Sequence, residues 1–336
     1  MNRPNNRVLQ INDIANTAAG IRAALGSRGW QVTQADFPLR VDHPSTPRLL
    51  LAQLGFAMRT AWQSRAYDLL HIHYGYFGLL GRLSPKPYVL HCHGTDLRAN
   101  LNGRLRRPTL AALRGAERIL YSTPDLAQYL PEEIKSKARF CPNIIDTNRF
   151  IPDPDITLAE GPVSVFISPK VDRYKGFETL IPVIDKLCAA PEVGQISIFN
   201  FGNRRSQYSL PEHPKVKLLE PVAYENMPRL IQQHDIVVGQ MGLGILSMSE
   251  KEAMACEKPL VVRFDFPEVY PSADIPISNV TSEDELYEAI IELAKAPSKR
   301  RQMGRDGRKW VIQHHSSAAV ANMLDEEARS FLPIHP

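Results

Sequence analysis

The chain has 336 residues, 43% of them apolar, which is enough for two hydrophobic cores and excludes a largely disordered protein. Its 40 Lys and Arg against 36 Asp and Glu give a net charge of only +4, without the concentrated basic face of a nucleic-acid-binding protein. We therefore expect no nucleic-acid partner, whereas anionic small molecules or an anionic membrane surface suit the charge.

Short apolar runs alternate with longer amphipathic stretches, which predicts an α/β fold with parallel sheets. The first half has predicted strands at 8–11, 31–37, 69–73, 88–91, 118–121 and 138–141, and predicted helices at 18–27, 47–64, 109–115 and 125–129. After a proline-rich connector, the second half has predicted strands at 163–167, 196–201, 216–219, 236–239 and 260–263, and predicted helices at 177–189, 227–233, 249–256, 282–293 and 297–313.

This order predicts an N-terminal Rossmann-like domain over residues 1–155, a C-terminal one over 156–315, and a closing helix over 316–336. Ligands of such sheets bind at the carboxyl ends of the strands, so we expect a site in the cleft where the domains face each other. We expect no signal peptide, because residues 7–11 are already predicted to form the first strand, and no apolar run reaches the about 20 residues of a membrane span. Four widely spaced cysteines fit a reducing compartment, so we expect a cytoplasmic protein.

The strongest chemical signal is a predicted helix that begins near Glu252 and is followed at once by a buried strand, in the sequence E-A-M-A-C-E-K-P-L-V-V. A carboxylate at such a helix can accept hydrogen bonds from both hydroxyls of a ribose. Gly242 and Gly244 precede the helix and would let the backbone approach a phosphate. An ordinary amphipathic helix with an acid near its N-terminus is the alternative interpretation.

A second signal is a pair of cations after the first strand of the second domain, Lys170 and Lys175, in the sequence S-P-K-V-D-R-Y-K-G. Fixed positive charges there would neutralise a departing nucleotide diphosphate, with Arg173 assisting. A solvated basic loop is the alternative. A third signal is His93-Gly-Thr-Asp96 at the end of a buried strand, where polar side chains would point into the cleft.

These segments resemble the motifs of retaining glycosyltransferases of family 4 (group 1), which have the GT-B fold. The Glu252 segment resembles E-A-M-A-x-G-x-P-V-V, the lysine segment G-R-x-x-x-x-K-G, the His93 segment H-G-x-D, and residues 142–150 P-N-G-x-D-x-x-x-F. The resemblance implies two Rossmann-like, doubly wound domains that face a central cleft, with the C-terminal helix returning to the N-terminal domain.

The resemblance also implies roles for single residues. Glu252 would hold the donor ribose, and Lys170, which stands in place of an arginine, would stabilise the leaving group with Lys175. His93 would touch the donor sugar from across the cleft, and Asp96 would orient that sugar or meet the acceptor.

The chain departs from the family pattern at two positions of the Glu252 segment. Gly244 stands where the family has a first glutamate that contacts the transferred sugar, and Glu257 replaces a glycine. Glu250 and Gln240 are the polar residues nearest to the missing acid, and we include both among the candidate donor-binding residues.

The implied activity is that of a retaining hexosyltransferase, which moves a sugar from a nucleotide-diphosphate donor to a glycan, lipid-linked or small-molecule acceptor in glycan, glycolipid or cell-surface polysaccharide synthesis. We expect neither a metal nor another cofactor, because lysines can neutralise the diphosphate. A sugar-nucleotide epimerase on the same fold and a non-catalytic nucleotide-sugar or glycan-binding protein are the alternatives. Five arginines between 98 and 114 either dock on the inner membrane surface or, as we favour, form a solvated face.

Overall fold

The computed structural model describes residues 6–14, 16–38, 45–156, 161–200, 208, 210–270 and 274–331. These residues form two compact units. The first unit holds the described residues up to Ile144 together with those from Ser317 onward, and the second holds Ile145–Ser316. No described helix combines the length and the apolar composition that crossing a bilayer requires.

The first unit is built on a six-stranded parallel sheet in the order β2-β1-β3-β4-β5-β6. Every residue of the neighbouring strands β3 and β4 is buried, as expected for inner strands covered on both faces. The strands are β1 Arg7–Ile11, β2 Gln31–Ala35, β3 Leu69–His73, β4 Tyr88–Cys92, β5 Arg118–Tyr121 and β6 Ala138–Phe140. The helices are α1 Thr17–Gly26, α2 Thr46–Gln63, α3 Gly78–Arg82, α4 Thr95–Arg98, α5 Arg106–Gly115, α6 Glu132–Lys135 and, at the C-terminus, α12 Ser317–Arg329.

Helix α12 packs on α1 and closes the first unit. The indole Nε1 of Trp30 donates a hydrogen bond to Asp325 Oδ1 at 2.7 Å, and Arg118 forms a 2.5 Å ion pair with Glu327. The C-terminal helix therefore returns to the N-terminal unit, as the sequence resemblance implied.

The second unit has its own six-stranded parallel sheet, in the order β12-β11-β10-β7-β8-β9. Its strands are β7 Val163–Ile167, β8 Val193–Phe199, β9 Val216–Leu219, β10 Ile236–Val238, β11 Leu260–Val262 and β12 Ser278–Asn279. Its helices are α7 Phe177–Ala189, α8 Met227–Gln232, α9 Met248–Ala255, α10 Glu283–Lys295 and α11 Pro297–His315. Both units are thus doubly wound α/β sheets, and the predicted fold class is confirmed.

The differences from the prediction are local. The segment predicted as a helix at 125–129 is a 3₁₀ helix, Pro124–Tyr129, and helices α3, α4 and α6 were not predicted because they have only four or five residues. The strand predicted to end at residue 201 and the closing helix predicted over 316–336 each reach beyond the described residues.

Candidate functional site

In the second unit, the carboxyl ends of three neighbouring strands place the predicted donor-binding residues at one edge of the sheet. β7, β10 and β11 lie side by side in parallel, and β8 lies on the other side of β7, so the chain reverses its winding direction beside β7. This switch point is where open α/β sheets bind ligands. The loop after β7 carries the lysines, and the loop after β10 carries the glycines.

The loop after β7 presents its cations to solvent at the start of helix α7. Asp172 shapes this loop, because its Oδ1 accepts a hydrogen bond from the backbone N–H of Tyr174 at 2.7 Å. Lys170 and Arg173 are exposed and Lys175 is half-buried. Within the described part of the chain, no carboxylate forms an ion pair with Arg173 or Lys175. Arg173 and Lys175 therefore place positive charge at the strand end that no ion pair within the described residues balances.

Backbone contacts join the loop after β7 to the loop after β10. The N–H of Met241 donates a hydrogen bond to the carbonyl of Lys175 at 3.0 Å. A Cβ added to Gly176 would lie 2.5 Å from the backbone nitrogen of Gly242, and one added to Gly242 would lie 2.4 Å from the carbonyl oxygen of Tyr174. Because Gly242 has no side chain, the loop after β7 can pack against it. The sequence analysis had instead explained this glycine by the close approach of a phosphate.

Gln240 and Glu250 point inward and shape the glycine loop. Gln240 is buried, and its Oε1 accepts hydrogen bonds from the backbone N–H groups of Gly242 and Leu243 at 3.0 and 2.6 Å. Glu250 closes a capping box with Ser247 at the start of α9, and its Oε1 accepts a hydrogen bond from the Gln240 N–H at 2.8 Å. The proposed donor contacts of these two residues stay predictions, and in this structure both side chains bond to the loop itself.

Glu252 lies in α9 with its carboxylate almost wholly buried. The hydroxyl of Tyr224 donates a hydrogen bond to its Oε1 at 3.1 Å. Burial raises the pKa of Glu252 to about 7, an effect that this hydrogen bond and the charge of Lys251 partly offset. Burial likewise lowers the pKa of Lys251 to about 8. The carboxyl group predicted to hold the ribose is therefore close to half-protonated at neutral pH.

An acid that the sequence analysis missed lies against Gly244. Gly244 has a φ of +63°, and a Cβ built on it would lie 2.2 Å from Oδ2 of Asp265, which follows strand β11. The N–H of Asp265 donates a 2.9 Å hydrogen bond to the Gly244 carbonyl. Asp265 is exposed and forms a two-point ion pair with Arg263. A carboxylate therefore occupies the space beside the position where the sequence has glycine.

In the first unit, His93 and Asp96 follow strand β4 but differ in accessibility. Asp96 is fully buried, and its carboxylate accepts hydrogen bonds from the backbone N–H groups of Gly75, His93 and Gly94 at 2.7 to 3.1 Å. Burial raises the pKa of Asp96, and the backbone hydrogen bonds oppose the rise. Asp96 thus holds the turn that presents His93, and its contact with donor or acceptor stays a prediction.

His93 is the outermost ring of a stack of four histidines. Two of them stand on β3 and one on β4, and neighbouring rings are stacked or tilted with centroids 4.4 to 5.5 Å apart. Burial is the main cause that lowers all four pKa values, that of His93 to about 3 and that of His71 to about 4. The rings are therefore neutral, so each has one nitrogen that donates and one that accepts.

Three of these histidines, His71, His73 and His91, each place a ring nitrogen within 4.8 Å of the other two, close enough for a metal ion. No described carboxylate or thiol joins this group. The nitrogens already bond to one another and to Gln10: His71 Nε2 lies 3.3 Å from His91 Nδ1, and Gln10 Nε2 lies 2.8 Å from His73 Nε2. In this structure the cluster is a hydrogen-bonded support beneath His93.

Models of two protein families match this chain, one in each half. Residues 17–149 match the model described as Glycosyltransferase Family 4, and residues 186–326 match the model described as Glycosyl transferase-like. The chain is a glycosyltransferase of the GT-B type. Among curated proteins, no sequence matches it significantly.

Solved structures share the fold of this glycosyltransferase at low sequence identity. Sucrose-phosphate synthase of Thermosynechococcus elongatus has a TM-score of 0.72 and 16% identity, over 97% of this chain and 98% of its own. HepE of Anabaena in complex with UDP-glucose has a TM-score of 0.70 and 17% identity, over 96% and 99%. The starch synthase IV catalytic domain of Arabidopsis thaliana, bound to ADP and acarbose, has a TM-score of 0.68 and 12% identity, over 97% and 99%.

In the arginine-rich segment of the glycosyltransferase, most arginines are exposed and most leucines are buried. Arg98 turns inward, where its Nε lies 2.7 Å from Asp125 Oδ2, while Arg104, Arg106 and Arg107 are exposed. The leucines at 97, 101 and 110 are buried in the core of the first unit. This segment therefore offers charge to solvent, with Leu105 as its one exposed leucine among the described residues 97–110.

Proposed function

We propose that this glycosyltransferase takes a hexose from a nucleoside-diphosphate donor and transfers it with retention of anomeric configuration, in the synthesis of a glycan, glycolipid or cell-surface polysaccharide. The observation that carries the proposal is the positive charge of Arg173 and Lys175 at the switch point of the second sheet, where no carboxylate of the described residues forms an ion pair with either side chain. A half-buried lysine beside an exposed arginine, neither with a carboxylate partner among the described residues, favours an anionic ligand, and a diphosphate is an anion of suitable size and charge.

The known structures support a nucleotide donor. The HepE structures contain UDP-glucose or UDP, and the starch synthase structure contains ADP. By this proposal Lys170, Arg173 and Lys175 bind the diphosphate, and Glu252 accepts hydrogen bonds from the ribose.

The proposed reaction forms a bond between the acceptor oxygen and the anomeric carbon as the bond from that carbon to the diphosphate oxygen breaks. The departing diphosphate takes the proton of the acceptor hydroxyl on the same face, so the protein needs no dedicated base. The lysines stabilise the charge that grows on the diphosphate, and His93 orients the sugar. With the lysines in this role, we propose that no metal is required.

We further propose that Asp265 supplies the carboxylate that is missing at position 244. Gly244 cannot contact a sugar hydroxyl through a side chain, and the Asp265 carboxylate fills the space next to it from the neighbouring strand end. The exposed carboxylate of Asp265, although paired with Arg263, has oxygen lone pairs left to accept a hydrogen bond from a hydroxyl. Asp265 is therefore our candidate for the contact with the donor sugar.

The first test is calorimetric titration with UDP, GDP and ADP, in the presence and absence of EDTA. We expect selective binding of one nucleotide, with the same affinity when EDTA is present. Incubation with sugar nucleotides of that base and a panel of acceptors then tests the reaction, and NMR of the product reports its anomeric configuration.

Each rival function has its own result in these experiments. An altered sugar nucleotide formed without an acceptor would identify an epimerase. Tight donor binding without turnover over the whole acceptor panel would identify a binding protein. Binding of no nucleotide to the folded protein would overturn the donor site itself.

A further inference from the structure

Helix α2 carries an apolar stripe that is open to solvent. Leu50, Leu54, Met58 and Trp62 recur every four residues and are 60, 57, 62 and 72% exposed, and Leu51 beside them is 70% exposed. At about 100° per residue these five side chains cover an arc of about 120° of the helix surface. An exposed apolar surface of this extent in a soluble domain usually marks a binding site.

The opposite side of α2 explains why the helix keeps this orientation. Phe56 and Thr60 are buried and lie on the far side of the helix from the stripe, where α2 packs on the first unit. Helix α3 contacts α2, and two further exposed leucines are Leu79 in α3 and Leu83 directly after it. The stripe is therefore a fixed surface of the folded unit.

The charges on α2 indicate which kind of partner binds this surface. The helix has no Asp or Glu, and its two arginines, Arg48 and Arg59, are exposed and lie three turns apart along one edge of the stripe. Two copies of this helix placed face to face would bring four arginines together without a helix acid to balance them. An anionic surface with an apolar layer beneath it complements both features.

We propose that α2 lies flat in the interface of an anionic bilayer, with Leu54 and Met58 at the level of the acyl chains and Arg48 and Arg59 on lipid phosphates. Trp62 at the end of the stripe suits the headgroup level, where an amphipathic indole is most stable. Apolar burial and charge attraction add in such helices, so binding depends on both. This inference goes beyond the transfer reaction and does not depend on it.

Tryptophan fluorescence tests the proposal without a label. The chain has three tryptophans, and Trp30 and Trp310 are 4 and 5% exposed, so Trp62 dominates any change in tryptophan exposure. With vesicles of phosphatidylcholine and phosphatidylglycerol we expect a blue shift and protection from acrylamide quenching, both reversed by high salt. Vesicles of phosphatidylcholine alone should give at least about a ten-fold weaker partition coefficient.

Substitutions in α2 test whether this helix forms the membrane-binding surface. Leu54→Ser with Met58→Ser, and separately Arg48→Glu with Arg59→Glu, should each weaken sedimentation with anionic vesicles at least about ten-fold. Leu218→Ser is the matched control, because Leu218 is an exposed leucine of the second unit. Circular dichroism and thermal unfolding of every variant check that the protein remains folded.

Three results would overturn the proposal. The first is the absence of a fluorescence shift with anionic vesicles, or an equal shift with neutral ones. The second is a shift that grows with protein concentration in the absence of vesicles, which would assign the stripe to a second copy of the chain. The third is loss of vesicle binding in Arg104→Glu with Arg107→Glu but not in the α2 variants, which would assign the contact to the arginine-rich segment.

Discussion

The Nδ1 atom of His73 lies 2.9 Å from the Nε2 atom of His93, and the Nε2 atom of His73 lies 2.8 Å from the side-chain amide nitrogen of Gln10. Both imidazoles are neutral, so each has one protonated ring nitrogen. The amide N–H of Gln10 donates to Nε2 of His73, which places the proton of His73 on Nδ1. This Nδ1–H donates to Nε2 of His93, so the proton of His93 is on its own Nδ1. A buried amide thereby fixes the tautomer and the orientation of the ring that we propose for sugar contact.

We predict that His73→Leu lowers donor turnover about ten-fold, because His93 loses the partner that holds its ring. His71→Leu is the matched control: His71 is equally buried on the same strand but bonds to His91. Turnover of the two variants, measured together with their thermal unfolding, separates positioning from stability. Equal losses of turnover in both variants would show that the cluster only supports the fold.

Lys175→Ala should weaken nucleoside-diphosphate binding about 10- to 100-fold, because one charge-assisted hydrogen bond usually contributes this much to the affinity. Lys186→Ala on helix α7 removes the same charge from an exposed lysine that pairs with Asp284, and it should leave binding unchanged. Calorimetric titration of both variants measures the difference. If the two variants lost the same small amount of affinity, general attraction to a basic surface would replace the proposed site.

The pKa of Glu252 gives a pH dependence with a definite sign. Its value of about 7 in the folded protein exceeds its ordinary value near 4.5, so between these pH values the folded state binds more protons than the unfolded state. The free energy of unfolding therefore falls as pH rises from about 4.5 to 7, by on the order of 3 kcal/mol for this group.

Glu252→Gln should remove this fall, because an amide does not titrate but still accepts the hydrogen bond from Tyr224. Urea unfolding at pH 5, 6 and 7 measures the free energy of unfolding of the wild type and of the variant. As the pH rises, the variant should become more stable relative to the wild type. The same variant should bind nucleotide more weakly above pH 7, where the wild-type carboxylate is ionised. Parallel stability curves for the two proteins would contradict the raised pKa.

Much of the fold could be predicted from the sequence because its signals are local. The bounds of β3, β5 and β7 agree with their predictions, since each is a short apolar run that ends at polar or turn residues. Asp265 could not be found in this way: it meets Gly244 only because β10 and β11 lie side by side in the sheet. Glu250 is a different case, because it forms the capping box with Ser247 at the start of α9. This pattern is visible in the sequence, but the interpretation of Glu250 as a donor-binding residue overlooked it.

Glu257 occupies a position at which the backbone favours glycine. Its φ of +58° is in the left-handed region, which costs a residue with a Cβ about 1–2 kcal/mol. We predict that Glu257→Gly stabilises the second unit by up to about 1 kcal/mol, the gain being reduced by the greater freedom of glycine in the unfolded chain. Glu257→Ala removes the same charge but keeps the Cβ, so thermal unfolding should show no gain for it.

Asp265→Asn tests the carboxylate beside Gly244. The amide has nearly the same size, so the loop should keep its shape, while the ion pair with Arg263 and the negative charge are lost. We expect turnover of the sugar nucleotide to fall about 10- to 100-fold, and binding of the nucleoside diphosphate, which has no sugar, to change less than three-fold. Asp274→Asn provides a control for the loss of one exposed acid elsewhere in the same unit. If nucleotide binding and turnover fell by the same factor, Asp265 would instead maintain the conformation of the diphosphate-binding loop. Unchanged turnover would show that Asp265 does not contact the sugar.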